Sequence, residues 1–350
     1  VQTCALPIWR SSSVIDVRMR EGNSKERERS AGLGLIASKV LLEGPLKKKE
    51  GSYLVSGRFG YPGVVAGLLG SNLTSKPQMW FYDVNAKVNR TLDARNRMFF
   101  SLYSGGDHTV FNKLVKGYGM DWGNATATIR WNHILNDKTN VNTSAVFSNY
   151  YYKYKSLSDG LRYVWKSNMQ SYQLKSDWER YQNNLLTLKG GVNLHYFTTM
   201  PGEVGKSGKD SNITPSQMPR KSLWDAALYA EANYKFLPHF LLNAGVRLSV
   251  LHAPASAYYA AKTFVMPEPR AELSFIPNAS HRFSASYTQA AQSIHMLTTS
   301  SVGIPSDSGC SSGTEHTHAH HLFGRYPLGH VDACQCTVEA LRHAPTGIGI

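Results

Sequence analysis

The sequence predicts an all-β protein, an antiparallel transmembrane β-barrel that is incomplete here and has about 12–13 strands. The first observation is that apolar and polar side chains alternate with a period of two, as in residues 186–196 and 242–250. This period gives each strand one apolar and one polar face. Second, many alternating runs are long enough to cross a bilayer, since a tilted strand needs about 9–11 residues to do so. Third, short and long connectors alternate, as the two rims of such barrels require.

The strand-rich body occupies residues 25–307. Strands are predicted at 33–43, 52–61, 78–90, 97–105, 122–134, 140–154, 163–178, 185–197, 222–236, 240–251, 269–276 and 281–289, with a short one near 25–31. The short connectors are 44–51, 91–96, 136–139, 181–184, 237–239 and 276–280. The longer ones are 62–77, 106–118, 198–220 and 253–266.

The two ends of the chain differ from this body. Residues 1–8, VQTCALPI, share no pattern with the rest, and we interpret them as a sequencing artefact. Residues 308–350 hold three of the four cysteines and six of the thirteen histidines, with no sustained period of two. We predict a frame-shifted or disordered tail there, without stable structure. The alternative is a metal-binding tail, in which the imidazole ligands would be His316, His318, His320 and His321.

Composition limits the partners of the chain. The sequence has no run of 18 or more apolar residues, so any membrane insertion would use strands. Because no charged region followed by an apolar stretch opens the sequence, we expect that an export signal is missing and that the chain is incomplete. The formal charge of +14 would suit an anionic partner, but the cations are spread over turns and polar faces. We therefore expect no nucleic-acid partner, even for the basic and aromatic run Tyr150 to Lys155.

Catalytic and cofactor motifs give no candidate site. Gly32, Gly34 and Ala37 form a G-x-G-x-x-A string, but an alternating strand follows it where a dinucleotide site needs a helix. The isolated His133, His195 and His295 fit polar strand positions better than metal ligands or catalytic bases. We predict no enzyme activity, no catalytic residue, no cofactor and no metal site.

Seven segments share the pattern of one known family. They are SSVIDVRMREGN at 12–23, GLGLIASKVLLEGPLKK at 32–48, GSYLVSGR at 51–58, FYDVNAKVN at 81–89, DWGNATATIRWNHI at 121–134, EPRAELSF at 268–275 and QSIHMLTTSSVGIPSD at 292–307. Together they resemble the TonB-dependent outer-membrane receptors, most closely a branch whose plug follows a carboxypeptidase-like regulatory module. The resemblance implies that residues 9–24 end a plug domain and that residues 25–307 form about half of a barrel of about 22 strands.

The resemblance also implies a function and its partners. Such receptors sit in the Gram-negative outer membrane and actively import a scarce polar ligand, here an iron chelate, a corrinoid or a glycan. The partners would be membrane lipid, the small-molecule or glycan ligand, and the TonB energy-transducing complex through a region that we expect to be missing. An open sheet edge in hydrocarbon costs several kcal/mol for each unpaired backbone group, so we expect no transport by this chain alone.

In this family one face of the barrel wall meets lipid and the other lines the lumen. The predicted lipid-facing residues are Leu186, Leu188, Val192, Leu194, Ala226, Leu228, Val246, Leu248 and Val250. The predicted lumen residues are Thr187, Lys189, Asn193, His195, Glu231, Asn233, Asn243, Arg247, Arg270, Glu272 and Ser274. The ligand-contact candidates among them are Asn193, His195, Arg247, Arg270 and Glu272. Aromatic side chains expected at the membrane interfaces are Trp80, Tyr82, Tyr150, Tyr152, Tyr196 and Trp224.

Two other functions share part of this pattern. A passive porin-like channel would have the same barrel strands, but it gives no role to residues 13–23, which fit the end of a plug. A secreted, soluble β-sandwich that binds glycans would also be all-β. Long strands and alternating connectors disfavour the sandwich. The extracellular loops 62–77, 106–118, 198–220 and 253–266 are further places where we expect ligand contacts.

Overall fold

Long antiparallel strands make up most of the structure, a computed structural model that describes residues 19–46, 50–69, 78–111, 117–156, 162–208, 214–256, 260–278, 281–291, 296–298, 305–308 and 330–340. The strands are β1 (Glu28–Leu33), β2 (Ala37–Pro45), β3 (Gly51–Gly60), β4 (Gln78–Thr91), β5 (Asn96–Phe111), β6 (Tyr118–Asn136), β7 (Thr139–Ser156), β8 (Tyr163–Tyr181), β9 (Leu186–Lys206), β10 (Ser216–Gln217), β11 (Lys221–Leu237), β12 (Phe240–Ala253), β13 (Lys262–Asn278), β14 (His281–Ala291), β15 (Met296–Thr298), β16 (Pro305–Ser308) and β17 (His330–Ala340). One helix, α1 (Pro62–Leu69), follows β3.

Nearly all strands belong to one fifteen-stranded sheet. Each strand from β1 to β9 pairs with the next, the order continues through β11 to β14 and ends at β17, and β10 pairs with β9. Strands β15 and β16 form a separate pair. No described pairing joins β1 to β17, so the sheet is open and has two edges. The predicted antiparallel, incomplete barrel wall is confirmed, and the sheet is not split into the two stacked layers of a sandwich.

The connectors alternate in length as predicted. The hairpins that join β4 to β5, β6 to β7, β8 to β9 and β11 to β12 are tight, and each falls in a predicted short connector. In the first of these, Asp93 accepts hydrogen bonds from the backbone N–H of Arg95 at 2.7 Å and from the Asn96 side chain, and these bonds hold the pKa of the Asp93 carboxyl below its usual value. We name the rim with these hairpins the short rim and the opposite one the long rim.

Several strands extend further toward the long rim than the apolar pattern predicted. Strand β5 continues to Phe111 and β9 to Lys206, and β13 already begins at Lys262, so parts of three predicted loops are strand. Backbone pairing continues there, for example between Phe111 and Tyr118, although the apolar alternation fades. A strand that has left the hydrocarbon needs its backbone partners but no apolar face, which explains the difference.

The first predicted strand, at residues 33–43, is divided between two strands. Leu33 closes β1, a hairpin follows in which the Gly34 N–H donates to the Ala37 carbonyl at 3.0 Å, and β2 then begins. The apolar positions change from odd numbers (Leu33, Leu35) to even numbers (Val40, Leu42) across this turn, a phase shift that a single predicted strand overlooks.

Both ends of the chain lie partly beyond the described residues. Residues 1–18 and the four clustered histidines of the tail are outside them, so the predicted artefact and the alternative metal site stay predictions. Within the tail, β17 pairs with β14 from Ala340 opposite His281 to His330 opposite Ala291. This regular backbone differs from our expectation of no stable structure, and the assignment of residues 308–350 to a frame shift stays a prediction.

One row of residues shows how the sheet separates its faces. Residues in register share a face. The row crosses ten neighbouring strands from β3 to β13, and every member is apolar or aromatic: Tyr53, Val88, Phe100, Ile129, Ala145, Leu174, Leu194, Ala226, Val250 and Val265. Leu174 is 51% exposed and Val265 61% exposed, so this is the outer face. All nine predicted lipid-facing residues lie on it, because they alternate in step with this row.

Aromatic side chains mark two levels on the outer face. Toward the long rim, Tyr196 packs against Trp224 with ring centroids 4.5 Å apart. Toward the short rim, the rings of Phe240 and Phe275 are 4.7 Å apart. On β11, Trp224 and Tyr234 are separated by roughly 33 Å of strand, or roughly 25 Å of height at the usual strand tilt, which is the thickness of the apolar band of such barrels.

Two of the predicted interface aromatics lie on the inner face. Tyr152 is only 7% exposed, whereas the adjacent Tyr151 is 38% exposed on the outer face. Tyr150 and Tyr152 share one face of β7 and Tyr151 has the other, and the outer-face Ala145 is in step with Tyr151. The prediction for Tyr150 and Tyr152 is therefore wrong, and Tyr151 takes the interface position.

Helix α1 lies within the connector predicted at 62–77. Val64 and Leu68 are 59% and 79% exposed, and a cavity of 490 Å³ separates the helix from the rings of Phe59 and Trp80. The described part of the chain contains no helix with the length and apolar character needed to span a bilayer.

A cation placed at the middle of the outer face tests this orientation. For Leu228→Arg, we expect a loss of about 2–4 kcal/mol in the free energy of unfolding, because a guanidinium would lie in hydrocarbon. Leu237→Arg, near the short rim, should cost only about 0–1 kcal/mol. The measurement is denaturant unfolding of the full-length gene product folded into phosphatidylcholine vesicles. Equal losses for the two variants would contradict the assignment of the outer face to lipid.

Candidate functional site

The inner face of the sheet carries the predicted polar positions. Asn193 and His195 are 7% and 8% exposed, and Ser274 is fully buried. Arg247, Arg270 and Glu272 share this face because they are in step with buried Ser249, Glu268 and Ser274. The five ligand-contact candidates thus lie on one wall, spread over β9, β12 and β13.

Asn193 and His195 are both bonded to β8. The ring Nε2 of His195 lies 2.6 Å from the Ser171 hydroxyl, and Gln173 donates to the Asn193 carbonyl oxygen at 2.7 Å. These bonds fix both side chains against the wall. A ligand could reach them only by sharing or replacing the bonds.

The charged candidates form ion pairs along the wall. Arg247 Nε lies 3.3 Å from the carboxylate of Glu268, which is 2% exposed and also accepts from Ser249 at 2.8 Å. Arg270 pairs with Glu231, and Arg282 donates to Glu272 at 3.0 Å. Each buried acid thus has a cation beside it, as burial of charge requires. This network stiffens the wall from β11 to β14.

A glycine allows one hydrogen bond on the inner face to join two strands that are not neighbours. The Tyr229 hydroxyl on β11 donates to the Asp177 carboxylate on β8, although β9 lies between them. Gly191 occupies the intervening position, and a Cβ there would lie 2.8 Å from the Tyr229 hydroxyl. The Ser176 carbonyl oxygen would be nearer still, at 2.4 Å, so a side chain at Gly191 would displace both the Tyr229 ring and the β8 backbone.

An aromatic patch that we did not predict lines the inner face near the long rim. It is defined by Trp122, Tyr150, Tyr152, Tyr154 and Trp165, which come from β6, β7 and β8 and share the inner face through their register. The hydroxyl of Tyr152 and the indole N–H of Trp165 are buried and have no hydrogen-bond partner among the described residues. A buried polar group without a partner is costly, so these atoms mark a place where a polar ligand could bind.

A second unpredicted arrangement lies further toward the short rim. The guanidinium carbons of Arg97 and Arg130 lie 4.8 Å and 4.3 Å from the centroid of the Phe99 ring. Arg130 Nε and the side-chain oxygen of Asn132 are buried and have no hydrogen-bond partner in the described structure. The ring quadrupole offsets part of the repulsion between the two cations. This stack keeps positive charge on the inner wall.

The segment Met19–Asn23 lies against the same inner wall. Arg20 pairs with Glu43, which is 1% exposed and also accepts from the Asn23 backbone N–H at 3.0 Å. The neighbouring Glu21 carboxylate lies 2.6 Å from Arg97 and 3.6 Å from Lys87. The adjacent Arg20 and Glu21 have opposite charges, and each pairs with wall residues of the charge opposite to its own. We name these contacts, Arg20 with Glu43 and Glu21 with Arg97 and Lys87, the crossed ion pair.

The backbone of the segment lies close to the wall at Gly22. A Cβ on Gly22 would lie 2.1 Å from the Tyr53 carbonyl oxygen of β3, a distance that no side chain could tolerate. Lys87 adds a hydrogen bond of 3.0 Å to the Met19 carbonyl. The segment is therefore held by charge, by a backbone contact and by the absence of a side chain at one position.

The remaining predicted positions contribute little to a site. His133 bonds to the Asn96 side chain at 2.8 Å, and His295 lies outside the described residues. Residues 70–77, 112–116, 209–213 and 257–259 of the predicted ligand loops also lie outside them. No group of three or more His, Cys, Asp or Glu is arranged to hold a metal ion within the described ranges.

Comparison with known proteins identifies the wall. A family model described as "TonB dependent receptor-like, beta-barrel" matches residues 67–315. No curated protein sequence matches the chain.

Solved structures share the fold. The ferric preacinetobactin receptor BauA of Acinetobacter baumannii is 12% identical, with a TM-score of 0.57 over 78% of this chain and 47% of that one. The ferric-catecholate import receptor Fiu of E. coli K12, in its open form, is also 12% identical, with a TM-score of 0.57 over 78% of this chain and 56% of that one. FpvA of P. aeruginosa, bound to a heterologous pyoverdine and iron, is 11% identical, with a TM-score of 0.61 over 75% and 41%.

At these identities the likeness concerns the fold alone, and the chain spans about half the length of BauA and Fiu. The family model, in contrast, matches most of the chain in its own right. The chain therefore belongs to the TonB-dependent receptor family and contains strands of its β-barrel.

Proposed function

We propose that the full-length protein is an outer-membrane receptor that imports a scarce polar ligand with energy relayed by the TonB complex. The observation that carries this proposal is the segment Met19–Asn23, which is bound to the inner wall by the crossed ion pair. In an importer of this kind, a plug fills the lumen, and the chain that leaves the plug must run along the wall before it enters the first strand. The family consists of receptors and transporters, so we propose no covalent chemistry.

An iron chelate is our first candidate for the ligand. The names of BauA, Fiu and FpvA refer to ferric preacinetobactin, ferric catecholates and pyoverdine, which supports this class. The inner wall adds physical support, because aromatic rings and guanidinium groups suit planar, negatively charged chelating groups. A corrinoid or a glycan would also stack on aromatic rings, so both stay in the test.

The binding residues are a proposal as well. We retain Asn193, His195, Arg247, Arg270 and Glu272 as predicted contacts and add the aromatic patch. The patch lies near the long rim, which we assign to the extracellular side, and its unbonded Tyr152 hydroxyl and Trp165 N–H point to hydrogen bonding with a ligand.

A passive channel is the competing function. It would need an open lumen and no energy source, and residues 19–23 would have no reason to be anchored by a buried carboxylate and two cations. The two functions differ in their dependence on TonB.

Uptake in cells tests the proposed function. The full-length gene product, expressed in a receptor-deficient Gram-negative strain, should support accumulation of a ferric catecholate, a ferric hydroxamate, cyanocobalamin or an oligosaccharide. Accumulation should fall to background when TonB is deleted or the proton gradient is collapsed. Uptake that persists without TonB would instead support the passive channel.

Removal of one hydroxyl tests the aromatic patch. For Tyr152→Phe we expect binding of the transported compound to weaken roughly five- to tenfold, because one hydrogen bond contributes about 1 kcal/mol or slightly more. Isothermal titration of the detergent-solubilised protein measures the affinity. Tyr151→Phe, one residue away on the outer face, is the matched control and should leave affinity unchanged. If both variants bind as the parent does, the patch is not the binding site.

Charge exchange tests the crossed ion pair. We expect Glu43→Arg to accelerate deuterium exchange of the amides of residues 19–23 by roughly 10- to 100-fold, because Arg20 would meet a like charge and the Asn23 N–H would lose its acceptor. The double variant Arg20→Glu with Glu43→Arg should recover much of the protection. Mass spectrometry of the exchanged full-length protein gives both values.

The control for this exchange experiment is Arg90→Gln. Arg90 forms an exposed ion pair with Glu50 at 3.8 Å on the same part of the wall, away from the segment. Exposed pairs contribute little, so exchange in residues 19–23 should stay within about twofold of the parent. Unchanged exchange in Glu43→Arg would show that the segment is not anchored by Glu43.

A further inference from the structure

Three lysines on the outer face lie just beyond the aromatic level at the long rim. Lys153 and Lys155 alternate with inner-face tyrosines on β7, so they point outward with Tyr151. Lys166 on β8 lies directly opposite Lys153, and its side chain is 48% exposed. Like charges directly opposite on neighbouring strands repel each other, so this arrangement calls for a negative partner.

Two carboxylates share this part of the outer face, so the three lysines outnumber them by one. Asp121 lies opposite Lys153 on β6 but bonds to His108, whose ring packs on Trp80 with centroids 5.0 Å apart. Glu203 bonds to Lys166 at 3.1 Å. Lys153 and Lys155 have no ion-pair partner in the described part of the chain. Two ammonium groups on the outer face are therefore available to an external anion.

Their height relative to the membrane identifies the anion. Tyr151, 38% exposed, occupies the interface level of β7. Lys153 and Lys155 are two and four residues further toward the rim, or roughly 5 and 9 Å higher at the usual strand tilt. The polar layer of a bilayer begins at the aromatic belt and is roughly 5–7 Å thick on each side. Lys153 thus lies within this layer, and Lys155 lies just above it, from where its long side chain can extend back to the headgroups.

The shape of the wall leaves the site open. The Lys155 stem lies along Gly119 of β6, where a Cβ would be 3.6 Å from the Lys155 Cβ. On the other side, Lys155 lies opposite Val164 of β8, and Val164 lies opposite Gly205 of β9. A Cβ on Gly205 would meet nothing within 4 Å. Gly119 beside Lys155 on one side, and Gly205 beyond Val164 on the other, thus leave backbone open to a headgroup.

We propose that Lys153, Lys155 and Lys166 form a binding site for the phosphate groups of an anionic lipid in the outer leaflet. Tyr151 and the apolar outer face below it would contact the acyl chains of the same lipid. The site goes beyond the proposed import function, since it lies on the other side of the wall from the lumen, and it requires only that the outer face meets lipid.

Titration with lipid A, a glycolipid that carries two phosphates, tests the site. The full-length gene product in micelles of a neutral detergent should bind lipid A, measured by native mass spectrometry or by fluorescence quenching. The double variant Lys153→Gln with Lys155→Gln should bind about 30-fold more weakly, at about fivefold for each lysine. Added salt should weaken binding to the parent protein and have less effect on the variant.

Matched variants make the result decisive. Lys138→Gln with Lys235→Gln removes the same charge at the short rim and should leave lipid A binding unchanged. Lys153→Arg with Lys155→Arg keeps the positive charge and should retain binding. Retained binding would show that the Gln variant binds weakly because charge is lost and not because the protein misfolds. The proposal is overturned if the Gln variant at the site binds as the parent does, if both Gln variants lose binding equally, or if dephosphorylated lipid A binds equally well. Loss of transport would not affect any of these readings.

Discussion

The structure depends on one constraint: within hydrocarbon, every backbone N–H and C=O must be paired inside the protein. Strands of 14–21 residues from β4 to β9 satisfy it by pairing on both sides, so that no backbone group between them needs water. Once pairing fixes the backbone, the side chains have only two directions available. The separation of the wall into an apolar outer face and a polar inner face follows from this geometry and from the alternating sequence.

The constraint explains why the outer face was predictable and the inner contacts were not. A lipid-facing position accepts only apolar residues, so Leu228 or Val246 can be recognised from the period alone. An inner position accepts any residue whose polarity is compensated, and the partner comes from another strand at a register that the sequence does not show. Arg270 was predicted to face the lumen, but its pairing with Glu231, which also compensates its charge, required the structure.

The errors have the same origin. Tyr150 and Tyr152 were placed at the interface because aromatic residues collect there, but three consecutive tyrosines must alternate, and only the phase set by Ala145 and Phe147 decides which one faces lipid. The pattern predicts loops at the far ends of β5 and β9 because the apolar alternation fades there, whereas strand pairing continues. The crossed ion pair joins residues far apart in sequence, and no local pattern could reveal it.

The order of the strands has a consequence for how such a wall can change. From β1 to β9 each strand pairs with its immediate successor, so every pairing is made within one hairpin or between adjacent hairpins. Removal or duplication of a single hairpin would require new pairings only where it meets its two flanking strands and would leave the remaining pairings intact. The diameter of the finished cylinder is therefore adjustable in increments of two strands, and a lineage can widen or narrow its pore without redesigning the rest of the wall.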